Sequence, residues 1–217
     1  MSAADLTLDE LRLVLAPAIA SAATFDGWTD AALAQAAETA GVDPAVARLA
    51  FPGGGMDMIA AWIASVDAQM EASFADGRLA AMKVRGRIRA LVLFRLDAVG
   101  RHEEALRRAL AIQAMPRNVS RTMKAGWRSA DLMWRLAGDT SADYNHYTKR
   151  ALLAGIYAST LTVFANDESE GKAQSRAFLD RRIEGVMRFE KTKARFLRPR
   201  EGFDPARFLG RLRYPAR

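Results

Sequence analysis

The sequence predicts an all-α chain, a single helical bundle, on three observations. Apolar residues recur three and four positions apart through most of the length. Helix caps and stops such as Thr7, Gly41, Asp43-Pro44, Gly77 and Gly138 punctuate segments of helical length. No convincing strand pattern interrupts them. Half of the 217 residues are hydrophobic, enough for one sizeable core.

Each element follows from local chemistry. Thr7 followed by Glu10 has the spacing of a capping box and opens the first helix, which Pro17 should kink or interrupt. Thr29 can cap a second helix, with Leu33, Ala36, Ala37 and Ala40 on one face and Gly41 as its stop. Asp43 as cap and Pro44 in the first turn open a short helix to about Ala50. The run Phe51-Pro52-Gly53-Gly54-Gly55 breaks the chain. Ile59, Trp62, Ile63, Val66 and Met70 mark the next helix, closed near Gly77.

Three stripes follow: Val84, Ile88, Leu91, Val92; then Leu106, Ala109, Leu110, ended before Pro116; then Val119, Met123, Trp127, Ala130, Trp134, Ala137, ended by Gly138. A helix over Gly138–Thr160 comes next, then an acidic polar turn at Asn166–Gly171. Leu179, Ile183, Val186 and Met187 mark a long basic helix. Beyond Arg198–Gly202 a last short helix opens at Asp204-Pro205. The expected organisation is a helix-turn-helix-like part over 1–77, a larger helical part over 78–198, and a linker with an amphipathic helix over 199–217.

Composition narrows the chemistry. There is no cysteine, which excludes disulfides, cysteine zinc sites and thiol nucleophiles. His102 and His146 are the two histidines and stand far apart, so neither a metal nor a cofactor is expected. The N-terminal MSAADLTLDE resembles neither a secretory signal nor an Arg-rich transit peptide. The longest strongly apolar uncharged run, Ala151–Ala165, falls short of the roughly 20 residues of a spanning helix. These features point to a soluble cytoplasmic protein.

Charge is divided along the chain. Residues 1–81 hold three basic against eleven acidic residues, whereas 82–217 hold 29 basic against 14 acidic. The last 46 residues alone hold 14 basic against 5 acidic. Such a basic end suits an anionic surface, although a solvated helix face has the same composition.

Trp28–Pro52 reads as a helix-turn-helix and resembles the TetR-type regulator architecture, a small N-terminal DNA reader on a larger helical ligand domain. The helix that would enter the major groove offers only Arg48, and Asp26, Asp30 and Glu38 stand nearby. Phosphate neutralisation by Lys and Arg supplies most non-specific DNA affinity, so this motif is expected to be scaffold and no nucleic-acid partner is expected. Gly53-Gly54-Gly55 lacks the Lys and Ser/Thr of a phosphate loop and follows no strand.

The densest polar segment is Asp139–Arg150. Asp139, Thr140 and Ser141 stand where a helix N-cap belongs, and Asp143 suits the first turn. Asp143 with His146 could in principle do acid–base work. His146, Tyr147 and Arg150 are more like a protein–protein hot spot, and no catalytic residue is expected. In the C-terminal helix Phe208, Leu209 and Leu212 lie on one side, with Arg207 and Arg211 on another and Phe203 at the start. It can lie in the plane of an anionic bilayer or pack on protein. The Met and Phe residues of the middle helices, Met82, Phe94, Met115, Met123, Met133, Phe164 and Met187, are core by default. A lipid pocket would have the same composition.

GDTSADYNHYTKR, Ala130-Asp131-Leu132-Met133-Trp134 and Phe178-Leu179-Asp180-Arg181-Arg182-Ile183 together resemble the ubiquinone (coenzyme Q) biosynthesis accessory lipid-binding family, coenzyme Q protein nine. Phe25-Asp26-Gly27-Trp28 and Phe51-Pro52-Gly53-Gly54 are similar to its N-terminal pattern, so the likeness covers nearly the whole chain. The resemblance implies a TetR-like fold without DNA reading and a non-enzyme that binds an aromatic isoprenoid quinone precursor or a phospholipid. It implies approach to a membrane surface through Phe203, Arg207, Phe208, Leu209, Arg211 and Leu212. It implies presentation of the cargo to a ubiquinone-pathway hydroxylase docked on Asp131, Trp134, Asp143, His146, Tyr147 and Arg150. His146 stands where the family usually carries Trp. The expected lipid pocket lies among Phe94, Met133, Leu152 and Ile156. A homodimer through Lys172–Leu197 and a location in the bacterial cytoplasm, peripheral on the inner membrane, complete the expectations. The alternative is a TetR-type regulator binding a hydrophobic effector.

Overall fold

A computed structural model describes residues 6–140 and 144–197. The described backbone is helical: α1 Leu8–Asp26, α2 Asp30–Thr39, α3 Pro44–Ala50, α4 Gly55–Ser73, α5 Val84–Val99, α6 Glu103–Gln113, α7 Val119–Leu136, α8 Tyr144–Phe164 and α9 Ala173–Leu197. Among the described residues there is no strand. The chain divides into two compact units, through Ile183 and from Glu184 on. The helix-turn-helix and the helices after it share the first unit's core, so no compact boundary falls at position 77.

The N-terminal part forms as its caps dictate. Glu10 N–H donates to Thr7 Oγ1 at 3.4 Å, and the Glu10 carboxylate accepts from Thr7 N–H at 2.8 Å. Leu11, Leu15 and Ile19 are buried on one stripe of α1, which packs on α2 and α4. Pro17 does not interrupt the helix as its sequence suggests. It stands on the exposed side, where water can reach the carbonyl that loses its bond, while the buried stripe holds the helix on both sides. Asp43 caps α3 by accepting from Ala45 N–H at 2.7 Å.

Trp28 fixes this motif to the bundle. Its Nε1–H donates to the Ala105 carbonyl at 2.9 Å, and its ring lies 5.3 Å from that of Trp62. Gly55 is required at the start of α4, because a Cβ there would stand 2.7 Å from the Trp28 carbonyl oxygen. Trp28, Phe51, Met58, Ile59 and Trp62 are all buried.

The Gly138–Thr160 expectation shifts along the chain. Gly138 closes α7, as its place after that stripe predicts, but lies outside α8: at φ 85° its N–H donates to Arg135 O at 2.9 Å, and Asp139 N–H donates to Trp134 O at 3.0 Å. A Cβ there would come within 3.0 Å of Arg87 Nη1, which donates to the Ala137 carbonyl at 2.8 Å. α8 then continues to Phe164, because Leu153, Tyr157, Thr160 and Phe164 keep a buried face through its last turn.

Within the first unit, the start of α9 is held by Asp167. Its Oδ1 accepts from Ser169 N–H at 2.9 Å, and its Oδ2 from Ser175 N–H at 2.7 Å and Ser175 Oγ at 2.6 Å. Burial opposes its ionisation, but the serine hydrogen bonds outweigh it and hold the carboxyl below its usual range. Asp180 forms a two-pronged pair with Arg89 of α5 at 2.6 and 3.1 Å, and that bond lowers its pKa. Phe178-Leu179-Asp180-Arg181-Arg182 thus docks α9 on α5, with Arg182 4.8 Å over the Phe178 ring. In the second unit Arg188 pairs with Glu184 at 2.6 Å.

Candidate functional site

Two features of the first unit stand out, a cavity and a polar clamp beside it. The cavity, about 910 Å³, opens among α4, α5, α6, α7 and α8. Its wall is mostly apolar, with Trp62, Val66, Leu110, Met123, Trp127 and Leu161 contributing the large surfaces. This volume lies within the usual range for small-molecule sites.

The cavity exists because α8 is small on one side. Ala151, Ala154, Gly155 and Ala158 face it, and across from them α7 presents Gly126. A Cβ at Gly126 or Gly155 would meet nothing within 4 Å. Ala151, Gly155, Ala158 and Met123 are exposed and mark its open side. Of the polar residues in its lining, Arg95, Ser129 and Tyr157 are buried.

The four residues expected to form a lipid pocket do not line this space. Met133 is wholly buried in the core. Phe94 packs edge-on against Phe74 at 5.8 Å. Ile156 is half-buried against the core, and Leu152 is exposed. The choice of large apolar residues is the physical reason for the mismatch. Large side chains fill space, and helix positions whose side chains are missing leave it open. The usable signal was the spacing of Ala151, Ala154, Gly155 and Ala158, which share one face of a helix.

The clamp joins α7 to α8. Arg150, expected to face a partner, is 2% exposed. Its Nε donates to Asp131 Oδ1 at 2.5 Å, and its Nη1 donates to Asp139 Oδ2 at 3.0 Å and to the His146 carbonyl at 3.1 Å. Lys149 Nζ donates to the other Asp139 oxygen at 2.7 Å, and Arg135 pairs with Asp131 at 3.1 Å. Trp134 Nε1–H donates to the Lys149 carbonyl at 2.9 Å. Asp139 is therefore an acceptor for two cations of α8. The segment expected to form a partner hot spot contributes its charge to internal cross-linking.

Tyr147 is 62% exposed, with its ring stacked on Trp127 at 6.2 Å and edge-on to His146 at 5.1 Å. Trp127 is also a wall residue of the cavity, so the exposed ring and the cavity share a side chain. Asp131, Trp134 and His146 are partly buried beside it. Asp143 lies outside the described residues, as do Phe203, Arg207, Phe208, Leu209, Arg211 and Leu212.

Among the described residues, no three or more His, Cys, Asp or Glu side chains are placed to share a metal ion. His102 is held below its ordinary pKa by burial and by Arg101, and its ring lies 6.5 Å from that of Trp62. No single described helix is long and apolar enough to cross a membrane. α3, the would-be recognition helix, exposes Val46 and Leu49 beside Arg48.

Residues 119–190, from α7 into α9, match the model of the COQ9 family. The chain is 32% identical over 168 residues to the ubiquinone biosynthesis protein COQ9, mitochondrial, of Rattus norvegicus, covering 74% of this chain and 54% of that protein. The corresponding human protein is 30% identical, with 74% and 52% covered. The chain thus spans about half the length of the curated relatives it matches. In structure it is similar to a TetR transcriptional regulator from Nitrosomonas europaea, with TM-score 0.64, 20% identity, and 81% of this chain and 97% of that one covered.

One expectation is overturned. A bacterial cytoplasmic location is at odds with these relatives, which are named as mitochondrial proteins. That expectation rests on the N-terminal residues, and where a chain begins carries no information on compartment when it spans only part of its relatives. With the family model over 119–190 and relatives aligned along 74% of its length, the chain is a relative of the COQ9 ubiquinone-biosynthesis proteins, on an all-α, TetR-like fold.

Proposed function

We propose that this protein is a non-enzymatic accessory factor of ubiquinone biosynthesis that holds an isoprenoid precursor and presents it to a hydroxylase. The observation that carries this reading is the apolar cavity of about 910 Å³ bordered by the segment that matches the COQ9 family. A polyprenyl tail is insoluble, and moving it through water costs about 0.8 kcal/mol per methylene exposed. A protein with an apolar chamber open at one side removes that cost, and no reacting side chain is needed. In this reading the Phe203–Leu212 segment lies on an anionic bilayer, its basic residues adding about 1 kcal/mol each near the surface. The hydroxylase docks on the exposed Tyr147 with Trp134, His146, Asp131 and Asp143 around it. Arg150 acts from beneath as the strut that holds this surface, and the Lys172–Leu197 helix pairs two copies.

The test is direct. Protein purified under native conditions should yield an isoprenoid on lipid extraction and mass spectrometry, and deletion of Phe203–Arg217 should abolish binding to anionic liposomes. Protein free of any bound lipid, unable to take up an added prenyl quinone, would end the carrier role. Equal liposome binding by the truncated form would end the membrane role of that segment.

A further inference from the structure

Arg95 is the residue least expected in an apolar wall. It comes from α5, is 2% exposed, and borders the cavity together with Ser129 and Tyr157. Its Nη1 donates to Asp67 of α4, and the other Asp67 oxygen accepts from Ser129 Oγ of α7 at 2.9 Å. The guanidinium carbon lies 4.8 Å over the Tyr157 ring of α8. Four helices therefore meet at one buried ion pair. Yet Arg95 Nε, fully buried, has no hydrogen-bond partner among the described residues. A guanidinium carries five N–H donors, and a buried donor without an acceptor costs about 1–3 kcal/mol. Nε itself has no accessible surface, but among the described residues Nη1 alone of the guanidinium nitrogens has a hydrogen bond, and the edge that Arg95 lends to the cavity lining can take an acceptor from a ligand there.

We propose that the Arg95–Tyr157 end of the cavity is a head-group site. Arg95 donates there to an uncharged oxygen, carbonyl, phenol or ether, on an otherwise apolar ring-and-chain ligand. The proposal rests on the reading that the cavity takes a lipid and adds which end of the lipid is recognised. The preference for an uncharged head follows from charge balance. Asp67 already neutralises Arg95, so a carboxylate or phosphate would add an uncompensated negative charge in an apolar chamber beside the Asp67 carboxylate. The other cation on the wall, Arg107, is half-exposed and engaged by Glu103, Glu104 and the Ala165 carbonyl. An uncharged oxygen needs only a donor, and Tyr157 offers an aromatic face beside it.

The experiment compares three probes on the full chain, read by the fluorescence of the wall residues Trp62 and Trp127: a decyl benzoquinone, decylbenzene and decanoate. The quinone should bind about tenfold tighter than decylbenzene, the scale of one hydrogen bond to a charged donor. Decanoate should bind no tighter than decylbenzene. In Arg95→Lys, whose single ammonium is taken up by Asp67, the quinone should lose its tenfold advantage over decylbenzene. Equal wild-type affinity for quinone and decylbenzene overturns the proposal and leaves the lipid cavity standing. A preference for decanoate overturns the uncharged head. Failure of all three probes to bind removes the cavity reading and this one with it. The wild-type comparison needs no variant, so it decides the matter even if Arg95→Lys does not fold.

Discussion

Filling the cavity should raise stability and abolish binding at the same time, and that opposition makes Gly155 the most informative position to change. Gly155 lies inside α8 on the open side of the cavity, and Gly126 faces the same space from α7. Neither has an atom within 4 Å of where a Cβ would stand. Glycine in a helix interior costs roughly 1 kcal/mol relative to a good helix former, so Gly155→Leu should gain about that much if its side chain meets no obstacle. For a chain of this size that is a rise of roughly 2–4 °C in Tm. The four side-chain carbons would occupy space that a prenyl chain needs. At about 0.8 kcal/mol per methylene displaced, the ligand loses about 3 kcal/mol, more than a hundredfold in Kd. Thermal unfolding without ligand gives the first quantity, and titration with a prenyl quinone gives the second. Gly185→Ala, on α9 where a Cβ would also meet nothing within 4 Å and which contributes nothing to the cavity lining, is the control that gains helix stability alone. A Gly155→Leu protein with raised Tm and unchanged affinity would refute the assignment of this cavity as the binding site.

Removing the clamp should do the reverse. Arg150→Met leaves Asp131 of α7 and Asp139 of the α7–α8 connection with Arg135 and Lys149 as their remaining cations, and breaking such a buried pair costs about 3 kcal/mol or more. Calorimetry should show a Tm drop of roughly 6–12 °C, and a drop within 2 °C would mean that the clamp carries no net stability. Asp167→Asn replaces an acceptor oxygen with a donor facing the Ser169 and Ser175 groups, at a cost of about 1–3 kcal/mol near neutral pH. Because the carboxyl pKa is lowered in the folded protein, its contribution is complete above the unfolded value of about 4 and is lost as pH falls through the folded value. Wild type and variant should therefore converge in denaturant midpoint below about pH 4. A difference that persists unchanged into stronger acid would exclude the carboxylate as its source.

The fold was legible wherever local chemistry decides it. The Thr7 capping box, the Asp43-Pro44 start and the buried stripes of α1, α2 and α4 all follow from spacing and cap residues, because those interactions are made within a turn or two. The TetR-like arrangement followed from the helix-turn-helix placed before a longer helical part. What spacing could not give was the partner of each charge. Asp139 has the sequence position of a cap, yet it answers to Lys149 and Arg150, ten and eleven residues on. Arg150 looks outward on a helical wheel because arginine is rarely buried, and two carboxylates on neighbouring elements reverse that rule here. Arg95 gave no signal at all. Its cavity forms from four other helices, and only tertiary packing brings Asp67, Ser129 and Tyr157 to it.

The positions of clamp and cavity bear on each other. A cavity in a protein interior forfeits dispersion contacts along its whole lining, and the elements around it tend to close over it unless something holds them apart. Around this one, α7 and α8 meet across Gly126 and Gly155, where no side chain acts as a spacer. The two helices are instead tied at one end, where Arg150 spans Asp131 and Asp139 and Trp134 binds the Lys149 carbonyl. Farther along, the Arg95–Asp67–Ser129 pair ties α5, α4 and α7 at the inner wall. Polar struts with fixed geometry keep helices apart where apolar side chains would let them slide together. The charges of Asp139, Lys149 and Arg150 are thereby placed in these struts. They stand beside the space that Trp127 walls, and the Trp127 ring in turn stacks on the exposed ring of Tyr147.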